Sequence, residues 1–232
     1  MRRAAKRLAA ALAVLTQSAV ASAGTIEIAP TTLDLQPGKA GLFYIANNGA
    51  RAVTLQLQPM DWTQSGNANA LAQSGTLIAS PPFLRIAPRE RQIVRVLADG
   101  AQQPEGDYRL VVSELPDRTD AGSAVNVLLQ FSIPVFVASA QVQVEARWSA
   151  VARDGQLALS LHNNGGAALK VTAISLARDG QALAPVPCGL TYILPGAQHV
   201  WKMPLADAAS LRISARDERS GMPLDADIAV QR

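Results

Sequence analysis

The side chains most often used in catalysis are scarce in this chain of 232 residues, which has two histidines, His162 and His199, and one cysteine, Cys188. Each histidine stands beside a turn, without a second ligand or base at a useful spacing. The sequence has no Gly-x-Ser-x-Gly elbow, no phosphate-binding glycine loop and no Cys-x-x-Cys pair. A lone cysteine in an apolar sequence is typical of a packed side chain. These residues predict a protein that is not an enzyme and needs no cofactor.

Three aspartates near the C-terminus, Asp217, Asp225 and Asp227, are the remaining candidates for a metal site. Hard cations need six or more oxygen ligands, and no further acidic or amide cluster accompanies these three. We interpret Asp225 and Asp227 as part of a solvated surface and predict no metal.

The first 23 residues have the layout of a secretory signal peptide. A basic head at residues 2–7 precedes an apolar run from Leu8 to Leu15, and Ala21-Ser22-Ala23 forms a small-x-small cleavage site. The run is shorter than the roughly 20 residues that a membrane span requires. We expect export with cleavage after Ala23 and no insertion into the membrane.

Removal of this segment changes the charge of the chain. The whole sequence has 21 basic and 18 acidic residues and a formal charge of +3, and four of the basic residues and none of the acidic ones lie in the segment. The remaining chain is therefore close to neutral. Nucleic-acid binding needs clustered cations that neutralise phosphates, so no nucleic-acid partner is predicted.

The rest of the sequence favours an all-β fold. Short runs rich in strand-forming residues alternate with turn signals such as Pro37-Gly38 and Asp179-Gly180. Asn47-Asn48-Gly49 and Asn163-Asn164-Gly165 occupy comparable places in the two halves. We predict two immunoglobulin-like β-sandwich domains, 24–138 and 139–232, although one larger sandwich is an alternative. The predicted strands of the second half are 141–148, 156–162, 168–177, 199–203 and 211–215.

The segment from Val125 to Val137 alternates apolar residues at period 2 for about 40 Å, at about 3.3 Å per residue. One interpretation is a long central strand with one face in its own core. The other is an edge strand that lends alternate side chains to the open groove of another protein. Pro134 favours the second, because proline has no N–H for a sheet ladder and is confined to edges and strand ends.

The first half of the chain resembles the periplasmic chaperones of the chaperone–usher pilus pathway, in a divergent or archaic branch. The resemblance rests on motifs that occur in order over most of residues 26–138: Ala29-Pro30-Thr31, Asn47-Asn48-Gly49, Trp62, Ser80-Pro81-Pro82-Phe83, Gln92-Ile93-Val94-Arg95-Val96, Tyr108-Arg109-Leu110, Ser113-Glu114-Leu115-Pro116 and Ile133-Pro134-Val135-Phe136-Val137.

The resemblance implies two immunoglobulin-like domains arranged as a boomerang, and pilin subunits and an outer-membrane usher as partners. The chaperone folds and caps a pilin that lacks its last strand, by donor-strand complementation in the periplasm. The residues predicted to enter the pilin groove are Val125, Val127, Leu129, Phe131 and Ile133. The exposed donor strand also predicts self-association between clients.

The sequence departs from the family where the pilin's terminal carboxylate is anchored. The expected arginine and lysine positions are occupied by Thr32 and Pro134. We expect Arg109 to replace them, with Arg95 as the second candidate, because a buried carboxylate needs a charge-assisted partner. Glu114 and Asp217 match two positions of the family's interdomain ion network, but its arginine position is Ala138.

Two other functions fit parts of the sequence. A structural fimbrial or surface-adhesion subunit needs an N-terminal donor extension, and residues 24–29 are short for that role. A secreted hydrolase on a β-sandwich needs catalytic groups that this sequence lacks.

Overall fold

The computed structural model describes residues 26–99, 105–116, 127–138, 143–204 and 208–232. These residues form strands and connecting turns, and within them no helix is long and apolar enough to cross a membrane. The predicted signal peptide and the boundary between residues 138 and 139 lie outside them or at their margin, and so remain predictions.

The first domain is a sandwich of two sheets. Its strands are β1 (Ile26–Ala29), β2 (Leu33–Leu35), β3 (Ala40–Asn47), β4 (Val53–Ser65), β5 (Ala68–Gln73), β6 (Leu77–Ser80), β7 (Phe83–Ile86), β8 (Arg91–Ala98), β9 (Gly106–Leu115) and β10 (Gln130–Val137). One sheet has the order β1-β3-β8-β6, and the other has the order β2-β10-β9-β4-β5, with β7 also paired to β4. Alternate residues of the two sheets fill one core, which includes Phe43, Leu55, Val94, Leu110 and Val135.

The second domain is built around a seven-stranded sheet. Its strands are β11 (Ala146–Arg153), β12 (Gln156–Asn163), β13 (Leu169–Val171), β14 (Ile174–Arg178), β15 (Gln181–Ala182), β16 (Thr191–Ile193), β17 (Gln198–Pro204), β18 (Ser210–Ala215) and β19 (Ala226–Gln231). The sheet order is β15-β14-β18-β19-β11-β12-β17, and β13 pairs with β16. Cys188 packs at the margin of this domain's core, as expected of a lone apolar cysteine.

The two halves repeat one structural device at the Asn-Asn-Gly turns. Asn47 and Asn163 are each fully buried at the end of a strand, and each side chain bonds to backbone groups of its own turn. The backbone of Asn47 bonds to Arg89 and Glu90, as that of Asn163 does to Gly196 and Ala197. The comparable placement predicted from sequence is therefore confirmed down to the hydrogen bonds.

Three predicted strands differ from the observed ones. The segment 168–177 is two strands, β13 and β14, because the chain leaves one pairing partner for another at residues 172–173. The segment predicted at 141–148 begins only at Ala146 and continues to Arg153. The alternating segment from Val125 gives β10, which begins at Gln130.

Candidate strand-donating edge and interdomain cleft

The alternating sequence pattern did not decide whether β10 is a central strand or has a free edge. β10 pairs with β9 along its whole length, but the parallel pairing with β2 covers only Val135 to Val137. The N–H of Glu114 donates to the carbonyl of Leu129, which places alternate residues toward β9. Gln130 and Ser132 therefore direct their backbone groups to the other side, where no described strand pairs with them. Pro134 stands where pairing with β2 stops, consistent with its missing N–H.

The apolar face of this segment is divided between two environments. Ile133, Val135 and Val137 are buried in the core of their own domain. Leu129 and Phe131 are half-buried at the margin of that core, and Val127 is 78% exposed. The core interpretation thus applies to Ile133, Val135 and Val137, and the donor interpretation stays a prediction for the exposed part of the segment.

The structure corrects the predicted donor set at one end and leaves it undescribed at the other. Ile133 is only 4% exposed and lies opposite Leu110 of β9, so it belongs to the domain's own core and not to the donating face. Val125 lies outside the described residues. The residues that remain available are Val127, Leu129 and Phe131.

Arg109 lies in the cleft between the two domains. It stands on β9 opposite Pro134, and its guanidinium lies 3.7 Å from the centroid of the Trp62 ring and 5.3 Å from that of Tyr192. Burial lowers the pKa of Arg109, and the electrostatic interaction with Tyr192 opposes this effect. Within the part of the chain that the structure describes, it donates one long hydrogen bond, 3.4 Å to the carbonyl of Ser132, and no acidic side chain there pairs with it. Arg109 is thus a partly desolvated cation without a counter-ion among these residues.

Arg95, the second anchor candidate, lies outside the cleft. It lies on β8 in the other sheet, opposite Leu42 of β3. Val94 and Val96 on either side of it are buried in the core, so the alternation directs Arg95 outward to solvent, away from the cleft.

The cleft around Arg109 is lined with aromatic side chains that the sequence analysis did not assign to a site. Trp62 and Phe136 of the first domain and Tyr192 of the second form a cluster with ring centroids 5.6–6.1 Å apart. His199 lines the same small pocket, of about 150 Å³, and burial lowers its pKa, so it is neutral at pH 7. Trp62 is one of the residues on which the family resemblance rests. Its contact with Tyr192 is a tertiary contact that no local sequence pattern indicates.

The predicted interdomain ion-pair residues, Glu114 and Asp217, do not form an interdomain pair. The Glu114 carboxylate accepts from the backbone N–H of Leu129 within the first domain. The buried Asp217 accepts from the backbone N–H groups of Lys170, Arg219 and Ser220 within the second. Among the described residues each carboxylate is bonded by backbone donors of its own domain, and the predicted interdomain role of the two residues stays a prediction.

Among the described residues, Arg219 and Asp34 form an ion pair that connects the domains. Arg219 of the second domain contacts the Asp34 carboxylate of β2, donates to the carbonyl of Ala168 at 2.7 Å and lies 3.7 Å from the Phe136 ring centroid.

Asp107 of β9 lies beside this ion pair and opposite Phe136 of β10. It lines an interdomain cavity of about 260 Å³. Burial raises its pKa from 3.8 to about 6, and the nearby positive charge of Arg219 partly offsets this effect. Near neutral pH the carboxyl is mostly ionised, and because the charge is buried, this ionisation destabilises the folded state.

Comparison with known proteins settles which family this architecture represents. The chain matches the sequence model described as the pili and flagellar-assembly chaperone, PapD N-terminal domain, over residues 25–143. This chain belongs to that family. Members of the family are chaperones of the periplasm rather than enzymes. No curated protein matches this chaperone by sequence.

Solved structures share the two-domain fold of this chaperone. A chain from the complex of the chaperone CsuC with the tip adhesion subunit CsuE, from archaic Csu pili of Acinetobacter baumannii, is 21% identical with a TM-score of 0.69, covering 90% of this chain and 100% of that one. The SafB–SafA chaperone–pilin complex of Salmonella enterica gives 15% identity and a TM-score of 0.61, covering 88% of this chain and 96% of its own. The Escherichia coli chaperone DraB gives 15% and 0.60, with the same coverages. The all-β, two-domain fold predicted from the sequence is confirmed.

Proposed function

We propose that this chaperone binds, folds and caps a pilus subunit along the free edge of β10 and delivers it to an outer-membrane usher. The observation that carries the proposal is a strand edge that no other described strand pairs with, beside a half-buried apolar row, in a member of a pilus-chaperone family. The alternative, a structural fimbrial subunit, gains no support from this family membership.

The chemistry of the edge suits an incomplete sandwich. A client that lacks a strand exposes both apolar surface and unpaired backbone groups, which is an aggregation hazard. Gln130 and Ser132 offer backbone donors and acceptors on the open side of β10, while Val127, Leu129 and Phe131 offer apolar side chains. Each fully buried side chain of this kind would contribute about 1.5–3 kcal/mol before ordering costs.

Arg109 is the proposed anchor for the client's terminal carboxylate. A cation that is partly desolvated, held against two aromatic rings and without an acidic neighbour among the described residues is stabilised by an incoming anion. Because Arg109 lies directly opposite Pro134, at the end of the open edge, a strand paired with Gln130 and Ser132 reaches it within one or two residues.

The proposal includes export to the periplasm. We infer that the signal peptide is cleaved after Ala23, and that the donor-bearing domain extends to residue 138. Mass spectrometry of the periplasmic form is expected to show a chain that begins at Gly24. Self-association through the donor edge stays a prediction.

Co-expression tests the function directly. The pilins encoded beside an usher gene in the same organism are expressed with and without this chaperone, and soluble, protease-resistant pilin is quantified. The proposal predicts that the pilin accumulates only with the chaperone and in a stoichiometric complex. A pilin that is equally soluble and resistant alone would refute it.

A further inference from the structure

The β4–β5 hairpin reaches across the molecule and contacts the second domain through side-chain amides. Its turn is Gly66-Asn67, where Gly66 adopts a φ of +57° that allows the tight reversal. Gln64 and Asn67 at the tip bond to backbone groups more than 120 residues away in the chain.

Each side-chain amide bonds to backbone groups of the second domain as an adjacent strand would. Gln64 donates to the carbonyl of Tyr192 at 2.9 Å and accepts from the N–H of Leu194 at 2.8 Å. Asn67 donates to the carbonyl of Val200 at 2.8 Å and accepts from the N–H of the same residue at 2.8 Å. A carboxamide carries one acceptor and two donors, so it can satisfy a backbone N–H and C=O together as a paired strand would.

The strand that Asn67 contacts is otherwise an open edge. β17 is the last strand of the seven-stranded sheet, and among the described strands it pairs with β12 alone. Because the Val200 backbone faces outward, Gln198, Lys202 and Pro204 do so as well. Lysine and proline are residues that protect sheet edges from strand addition, and proline has no N–H to offer. Asn67 covers the position of Val200 from the other domain.

The same hairpin also orders the Arg109 cleft. Asn69 accepts from the indole N–H of Trp62 at 2.8 Å and from the Gln64 amide at 2.9 Å. Gln64 in turn holds the backbone of Tyr192, whose ring lies 5.6 Å from Trp62. Hydrogen bonds therefore connect the two aromatic walls of the cleft across the domain boundary.

We propose that the β4–β5 hairpin is an interdomain clamp, in which Gln64 and Asn67 are positioning residues that hold the second domain against the first and close the edge of β17. The clamp acts together with the Asp34–Arg219 ion pair on the other side of the Trp62–Phe136–Tyr192 cluster. It does not depend on the Arg109 anchor or on strand donation, so its test uses the free protein.

Amide hydrogen exchange of the full mature chain tests each contact. In Asn67→Ala the Val200 N–H is expected to exchange about tenfold faster or more, with Leu194 unchanged, and in Gln64→Ala the reverse is expected. Asn67→Asp keeps the acceptor for Val200, so it should retain most of that protection. Gln73→Ala, an exposed residue at the far end of β5, is the control and should change neither rate.

The coupling itself is measured by the distance distribution between spin labels at Arg95→Cys and Val151→Cys, in a Cys188→Ser background. The Gln64→Ala/Asn67→Ala variant is expected to broaden the distribution and to separate one calorimetric unfolding transition into two. A double variant with unchanged amide exchange, distance distribution and unfolding would overturn the clamp. Loss of protection at Val200 and Leu194 without a broader distance distribution would also overturn it, since the contacts would then not hold the two domains together.

Discussion

At the scale of single residues, Arg109 gives the sharpest prediction. Arg109→Ala is expected to weaken capture of a pilin with a free C-terminal carboxylate about 10- to 100-fold, the equivalent of about 1.5–3 kcal/mol for a hydrogen bond to a charged group. The free protein should stay folded, because Arg109 is only half-buried and stands on the surface of its sheet.

Arg95→Ala is the matched control, since Arg95 is an exposed arginine of the same domain on the opposite sheet. The two variants are compared by titration of purified chaperone with denatured pilin. Equal affinity for the two variants would exclude Arg109 as the anchor.

The raised pKa of Asp107 predicts that the stability of the folded protein depends on pH. Its pKa is about 6 in the folded protein and 3.8 when unperturbed, so the folded state binds the proton more tightly. The stabilisation by protonation is complete below pH 4 and is lost as the pH rises through 6, by up to about 3 kcal/mol.

Asp107→Asn removes this titration. The variant should be more stable than the wild type at pH 7.5 and similar to it at pH 4, as measured by urea unfolding at both values. A stability difference that is the same at both pH values would contradict the assigned pKa.

At the scale of elements, β10 and the residues just before it combine a core part with the proposed donor part. Val127→Asp is expected to leave the free protein folded and to weaken pilin capture at least tenfold, because an exposed valine is lost from the apolar row offered to the client. Ile133→Asp is expected to unfold the first domain, because it places an unpaired charge in the core.

Val151→Asp, at an exposed valine of the second domain, is the control for Val127→Asp. Far-ultraviolet circular dichroism and pilin co-purification distinguish the cases. Unfolding of Val127→Asp would assign this position to the core, and unimpaired capture would remove it from the donor surface.

The strands show what sequence patterns can and cannot predict. Alternation in 92–97 and 108–112 predicted β8 and β9, because each strand has one face in a core and one in solvent. The same period in Val125 to Val137 could not separate core from donor residues. That distinction depends on where β2 pairs with β10, which is set by a segment about 100 residues earlier in the chain.

The site shows the same limit. Arg109 was predicted as a candidate anchor from its place on the strand before the alternating segment, and this role stays a prediction, whereas the interdomain contacts of Asp34, Tyr192 and Arg219 were not predicted. Their roles arise from contacts between the domains, such as the Asp34–Arg219 ion pair, which joins residues 185 positions apart. Charge and aromatic character alone gave no reason to choose these residues among others of their type.

At the scale of the whole molecule, the two domains meet around the Trp62–Phe136–Tyr192 cluster, with the ion pair on one side and the hairpin amides on the other. The edge of β17 is covered at Val200 by Asn67, and Lys202 and Pro204 lie farther along it, while no described strand pairs with the edge of β10 at residues 130–134. This asymmetry favours the proposed strand addition at the edge beside the Arg109 cleft.

The most direct test of strand donation is amide hydrogen exchange of β10 in the free chaperone and in its complex with a pilin. Strand addition predicts that the Gln130 and Ser132 N–H groups exchange freely in the unbound protein and become protected by about 100-fold or more in the complex. The N–H groups of Phe131 and Ile133, directed to β9, should be protected in both states. A stable complex in which Gln130 and Ser132 remain unprotected would contradict donation through this edge.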